Sequence, residues 1–147
     1  MKRSFFTLVL FAFVYLVSVS FKAPGYHTLT VKVTNIRNTS GQLQIQIYRN
    51  SENYQKQLPW KVKRFDKDAV KNNSMTCTFT GIEEGEYGVA LLDDENANKE
   101  MDYTMFVPSE GFGFSDYYHT AWSKPKYDNF KFQFRDDKTV TVKIRYV

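Results

Sequence analysis

Apolar and polar residues alternate strictly in several short stretches. Leu29, Val31 and Val33 interleave with Thr30, Lys32 and Thr34, and Leu43, Ile45 and Ile47 interleave with Gln42, Gln44 and Gln46. A period of two puts one face on a core and the other towards water, so each stretch predicts a half-buried strand. Between them, Asn35-Ile36-Arg37-Asn38-Thr39-Ser40-Gly41 is rich in residues that tolerate left-handed turns, which predicts a hairpin with the two strands as antiparallel neighbours. Met75, Cys77 and Phe79 against Thr76, Thr78 and Thr80 give a third strand, and Gly81 to Tyr87 a tight connection into a fourth, Tyr87, Val89, Leu91. Phe130, Phe132, Phe134 and Val140, Val142, Ile144, Tyr146, joined by the polar turn Arg135-Asp136-Asp137-Lys138, predict a closing hairpin.

The stretch from Asn50 to Val70 is less regular. Leu58-Pro59-Trp60 breaks any helix, and Lys61, Lys63, Arg64 and Lys67 alternate with Val62 and Phe65. It reads as a loop with at most one short strand, its basic residues a solvated face balanced by Asp66 and Asp68. Six or seven short strands without a long helical period predict an all-β fold: an antiparallel β-sandwich of about seven strands, Ig-like or transthyretin-like. The expected core is Leu29, Val31, Val33, Leu43, Ile45, Ile47, Met75, Cys77, Phe79, Tyr87, Val89, Leu91, Phe132, Phe134, Val142 and Ile144.

Two segments do not follow the strand pattern. The first ten-residue stretch after Leu92, Asp93-Asp94-Glu95-Asn96-Ala97-Asn98-Lys99-Glu100-Met101-Asp102, carries oxygen-bearing side chains at alternate positions directly behind a strand. Asp94, Asn96, Asn98 and Asp102 can converge on one point, as the oxygen ligands of a calcium ion do, so Ca2+ is the candidate cofactor and these four the candidate metal ligands. As an EF-hand begun at Asp94 the match is incomplete, because Lys99 replaces the central glycine and Met105 occupies the bidentate glutamate position. The second segment continues to Asn129 and is dense in aromatics, among them Tyr103, Phe106, Phe112, Phe114, Tyr117, Tyr118, Trp122 and Tyr127. Long loops are often functional, and this one reads either as a cover over an open end of the sandwich or as an exposed platform. Its candidate binding residues are Tyr103, Phe112, Phe114, Tyr118 and Trp122. Gly111 and Gly113 bracket Phe112 and suggest a sharp turn there.

Residues 1 to 20 read as a secretory signal: Lys2 and Arg3, then an apolar run from Ser4 to Val17 too short for a membrane span, then Ser18-Val19-Ser20 at the cleavage positions. The expectation is one domain, 21 to 147, exported to the periplasm or the extracellular space and without a transmembrane segment. Loss of Lys2 and Arg3 lowers the formal charge from +4 to +2, too little for a nucleic-acid binder. Cys77 is the only cysteine, so no internal disulfide forms, and its place on an apolar strand face marks a buried, inert thiol.

An ordered series of motifs now bears on family. Phe79-Thr80-Gly81-Ile82-Glu83-Glu84-Gly85-Glu86-Tyr87, Asp94-Glu95-Asn96-Ala97-Asn98, Asp102 and Pro108-Ser109-Glu110-Gly111-Phe112-Gly113-Phe114-Ser115 together resemble a bacterial family catalogued as domain of unknown function 2141. The resemblance spans nearly the whole chain after the signal and implies an exported single-domain protein with no assigned activity. Its glycine-tyrosine turn is also similar, at the level of fold, to that of transthyretin-like and carboxypeptidase-regulatory sandwiches. The family pattern reads His-Asp-Glu-Asn-Gly-Asn-Gly-x-x-Asp, and here Asp93 stands for the histidine, Ala97 for the first glycine and Lys99 for the second. A glycine permits positive φ, so Lys99 is expected to be strained and to bring a positive charge towards any cation.

Three functions stay open. A non-catalytic binding module of the envelope, contacting a glycan or protein partner through its loops, asks least of the residues. An enzyme would pair Asp94 or Glu95 with Asp102, with His119 as a further acid, base or ligand, yet there is no zinc spacing, nucleophile elbow or phosphate loop. A passive structural protein would use the acidic and aromatic loops to brace one another.

Overall fold

The computed structural model describes residues 25–147. The expected secretory signal, residues 1 to 20, lies outside the described residues.

Among the described residues ten strands, all but one pair antiparallel, build a sandwich-like all-β domain. One sheet holds β10 (Lys138–Lys143), β1 (Tyr26–Thr34) and β4 (Ser74–Glu83), in that order. The other runs β3 (Lys61–Asp66), β2 (Gln42–Tyr48), β5 (Gly85–Asp94), and the far side of β5 is shared end to end by β9 (Lys131–Phe134) and β8 (Gly111–Phe114). A ribbon of two short strands, β6 (Tyr103–Thr104) and β7 (Val107–Pro108), stands apart. The helix α1 (Ser51–Gln55) is a single turn whose first amides are met by Asn50, the Oδ1 of which accepts from Asn53 N at 2.8 Å.

The core follows the alternation. Val31 faces Val140 on β10 and Cys77 on β4, and Ile45 faces Leu91 on β5, so inward rows from both sheets interdigitate. Fifteen of the sixteen expected core residues are buried in one cluster; Phe132 packs against it half-buried. Burial pushes the Cys77 thiol up to about 11, keeping it protonated. The Tyr87 hydroxyl donates to Glu83 O, four residues upstream, at 2.9 Å and so fixes the corner where the chain changes sheets.

Both predicted hairpins are corrected by the structure. β1 and β2 lie in different sheets, and so do β9 and β10; β10 instead pairs in parallel with β1, Leu29 opposite Lys138 through Thr34 opposite Lys143. Period two states which face of a strand is buried but not which strand lies beside it. Gly111 and Gly113 are corrected too. Neither has a positive φ, and both lie within β8 where a Cβ would stand 2.5 Å from Ile144 Cγ2 and 2.6 Å from Val142 Cγ1. They are small so that β8 can press against the last strand, and bridges from Phe112 to Arg145 and from Ser115 to Val142 close that side of the sandwich. In the 50–70 stretch the short strand is β3, but Lys67 is wholly buried rather than part of a solvated face.

Candidate functional site

The acidic stretch begins on β5. The inward series Tyr87, Val89, Leu91 continues to Asp93, which sits opposite Leu43 and points between the sheets; Asp94 points to the other face. Asp93 meets two groups there. Lys67 Nζ contacts its Oδ1 as a fully buried ion pair, and the hydroxyl of Tyr146 donates to its Oδ2 at 2.5 Å. Burial raises the Asp93 carboxyl above its ordinary range, with Lys67 and Tyr146 opposing.

Asp94 accepts from Gln42 Nε2 at 2.7 Å, from the Asn98 amide at 3.0 Å and from the Lys99 amide at 2.9 Å. Asp102 takes the side-chain amides of Asn96 and Asn98, at 2.5 Å and 3.0 Å. The four candidate calcium ligands are therefore brought together, but as donors and acceptors to one another and to the loop backbone. Both asparagines present N–H groups to Asp102, so a cation would require them to turn and Asp94 to surrender two backbone bonds. Among the described residues no three His, Cys, Asp or Glu side chains are placed to hold a metal. Ala97 and Lys99 have φ of 60° and 74°, the left-handed conformation that the glycines of the family pattern would hold more easily.

Glu110, which sequence reasoning passed over, lies buried beneath this loop and accepts from the Glu95 amide at 2.9 Å. Burial raises its carboxyl as well. Glu95 is lowered, because Arg37 grips it through Nε at 2.6 Å and Nη2 at 2.7 Å, and Asn38 adds a bond at 2.8 Å. Gly41, with φ of 69°, seals the junction: a Cβ there would fall 2.0 Å from Asp94 O. Chemically the loop is a brace, held from three sides.

The aromatic segment does something else. On the outer face of the larger sheet, Tyr48, Tyr54, Phe114, Tyr127 and Phe130 form a second buried cluster, separate from the inter-sheet core. Tyr127 donates to Tyr48 O at 3.3 Å, and burial lifts the Tyr48 phenol to about 12. Beside this cluster the face is left open as a groove of about 730 Å³. Two rows floor it across three strands: Gln46, Ala90, Phe114 and Gln44, Leu92, Phe112. The β6–β7 ribbon supplies Tyr103, Phe106 and Pro108 as one wall, reached through the Lys99 carbonyl that Gln44 Nε2 approaches at 3.5 Å. The segment from His119 to Pro125 supplies the other, moored by Lys124 Nζ on Tyr54 O at 3.0 Å.

Phe106 is 98% and Trp122 79% exposed. The ribbon turns through Met105 and Phe106 with φ of 50° and 69°, a two-residue turn whose both central residues are left-handed. Asn-Gly is the low-cost solution for such a turn, and bulky residues there hold the backbone in a strained region. His119 donates through Nε2 to Ser123 O at 2.5 Å, which leaves Nδ1 as a buried acceptor without a hydrogen-bond partner among the described residues.

Of the five predicted binding residues, Tyr103, Phe112, Phe114 and Trp122 line the groove, with Phe114 also anchoring the cluster beneath. Tyr118 does not; it lies under Lys143 Nζ, 4.9 Å from its ring. Phe106, Gln44 and Gln46 are among the lining residues not expected to bind, and His119, expected only in the enzyme reading, lines the groove as well. The two glutamines occupy the polar positions of a strand and carry no signal of their own, but the adjacent apolar pair Met105-Phe106 in a turn was a readable one. The acidic brace and the groove share no hydrogen bond through His119, so no acid-base pair joins them among the described residues.

The family described as "Uncharacterized protein conserved in bacteria (DUF2141)" matches residues 31–143. No curated protein and no solved structure matches the chain.

Proposed function

The chain belongs to the DUF2141 family, and from that premise we propose that it is an exported, non-catalytic binding module that takes a glycan in the groove on the outer face of its larger sheet. The observation that carries the reading is the combination of exposed aromatic walls, Phe106 and Trp122, with a floor of carboxamides, Gln44 and Gln46. Sugar rings offer apolar C–H faces to aromatic planes and hydroxyls to amides, so each half of the groove suits one half of such a ligand. The His119 Nδ1 lone pair is a further acceptor for a hydroxyl.

A peptide fits less well. Extended peptides gain most of their affinity by pairing with a sheet edge. Here the groove lies over the face of β2 and β5, and the neighbouring edge at β8 is engaged by Arg145. The acidic loop has a supporting part in this reading, because it sets the base of the β6–β7 wall, and calcium enters only as an ion that would stiffen that base.

Isothermal titration and Trp122 fluorescence in a Trp60→Phe background, against a panel of soluble bacterial and plant oligosaccharides, test it. Binding should fall about tenfold or more in Trp122→Ala and in Phe106→Ala, since losing a central aromatic anchor costs upwards of about 1–2 kcal/mol. If no oligosaccharide binds at millimolar concentration while an unrelated peptide library does, the glycan reading is lost.

A further inference from the structure

We propose that Lys67 and Asp93 join covalently, in an intramolecular isopeptide bond that the folded protein forms by itself. The amine and the carboxyl are in direct contact, and both side chains are fully buried. Neither is otherwise well served. An ammonium needs three acceptors, and apart from Asp93 the nearest for Lys67 Nζ is Asn38 Oδ1 at 3.5 Å. The Asp93 Oδ1 atom, which faces the amine, has no hydrogen bond of normal geometry among the described residues.

In such a place two opposite charges cost more to desolvate than their attraction returns unless every remaining site is satisfied. Moving one proton from the ammonium to the carboxylate removes both charges and leaves the two reactants of an amide: a free amine and a carboxylic acid. Burial raises the Asp93 carboxyl, which acts in the same direction.

The step balances without any co-reactant. The Nζ lone pair attacks Cγ, and negative charge develops on Oδ2, to which the Tyr146 hydroxyl already donates at 2.5 Å, as an oxyanion donor must. The Cγ–Oδ1 bond then breaks, Oδ1 carries away its own hydrogen and one from Nζ, and a single water leaves. Fixed contact of the two groups replaces the activation that a free amine and acid would require in solution. The surrounding core excludes the water that would reverse the reaction. The cross-link would tie Lys67, just past the edge strand β3, to the end of the central strand β5.

Intact-mass measurement on the purified, denatured protein decides the question. The expected result is a mass lower than the sequence by one water, together with a branched proteolytic peptide joining Lys67 to Asp93. Protein recovered unfolded from inclusion bodies and kept in urea should show the full mass, and should lose one water on refolding. Lys67→Arg keeps the charge but cannot form the amide, and should also show the full mass. Asp93→Asn should lose ammonia instead, ending at the same cross-linked mass as the wild type. Wild-type protein at its full sequence mass overturns the proposal without recourse to any variant, and so does water loss that maps to a site other than this pair.

Discussion

The inter-sheet core and the aromatic cluster outside it are both buried, yet they are built by different means. The first is made mainly of aliphatic residues on period-two strands, with Phe79, Tyr87 and Phe134 among them, sealed on both sides by a sheet. The second takes Tyr48 and Phe114 from strands, Tyr54 from a helical turn and Tyr127 and Phe130 from a 3-10 turn and the residue that ends it, and has a sheet on one side only. Rings can cover an open face because each buries much surface for few rotatable bonds, and a phenol can reach a backbone carbonyl. A layer made this way need not be complete. Where it stops, the groove begins.

Paired truncations measure the difference. Phe134→Ala, in the sealed core, should cost about 4–5 kcal/mol in urea unfolding, because the cavity cannot collapse. Phe130→Ala should cost less, about 3 kcal/mol, since its surroundings can relax towards the groove. Equal losses would mean that the outer layer is as rigid as the inner. Tyr54→Phe should be close to neutral despite its burial, because the hydroxyl it removes has no hydrogen-bond partner among the described residues.

The acidic brace responds to pH. Glu95 has its folded value below the ordinary 4.5, so its contribution is complete above that pH and is lost as pH falls through the folded value. Glu95→Gln should therefore cost about 1 kcal/mol at pH 7, and the difference from the wild type should vanish in acid. Glu110, raised by burial, acts with the opposite sign, so only the difference between the two proteins isolates Glu95. One substitution should bring a gain: Lys99→Gly should stabilise by about 0.5–1 kcal/mol by relieving a φ of 74°. Adding millimolar calcium should shift the melting point of that variant by no more than it shifts the wild type, if the loop is a brace and not a cation site.

What could be read beforehand follows the same division. Every strand that fills the inner core announced itself by alternation, but Asp93, read as the start of the acidic loop, was not recognised as the next member of the Tyr87, Val89, Leu91 series. Partners did not announce themselves, since the 35–41 and 135–137 connections cross between sheets and neither turn chemistry nor periodicity records that. Lys67 was hidden within a basic run, because burial of a charge depends on a carboxylate 26 positions away in sequence. The groove was legible only as an excess of aromatics, and Tyr118 shows how little that fixes: equal in kind to Tyr103, it faces elsewhere.

The parallel pairing of β1 with β10 has a mechanical consequence. The chain enters β1 at one end of the sheet and leaves β10 at the other, so force applied to the two termini draws these strands past each other lengthwise. The register from Leu29 with Lys138 to Thr34 with Lys143 is then loaded all at once and not one rung after another. Held between two anchors, this domain would resist as a bolt in shear, whereas an antiparallel pair in the same place would open like a zip.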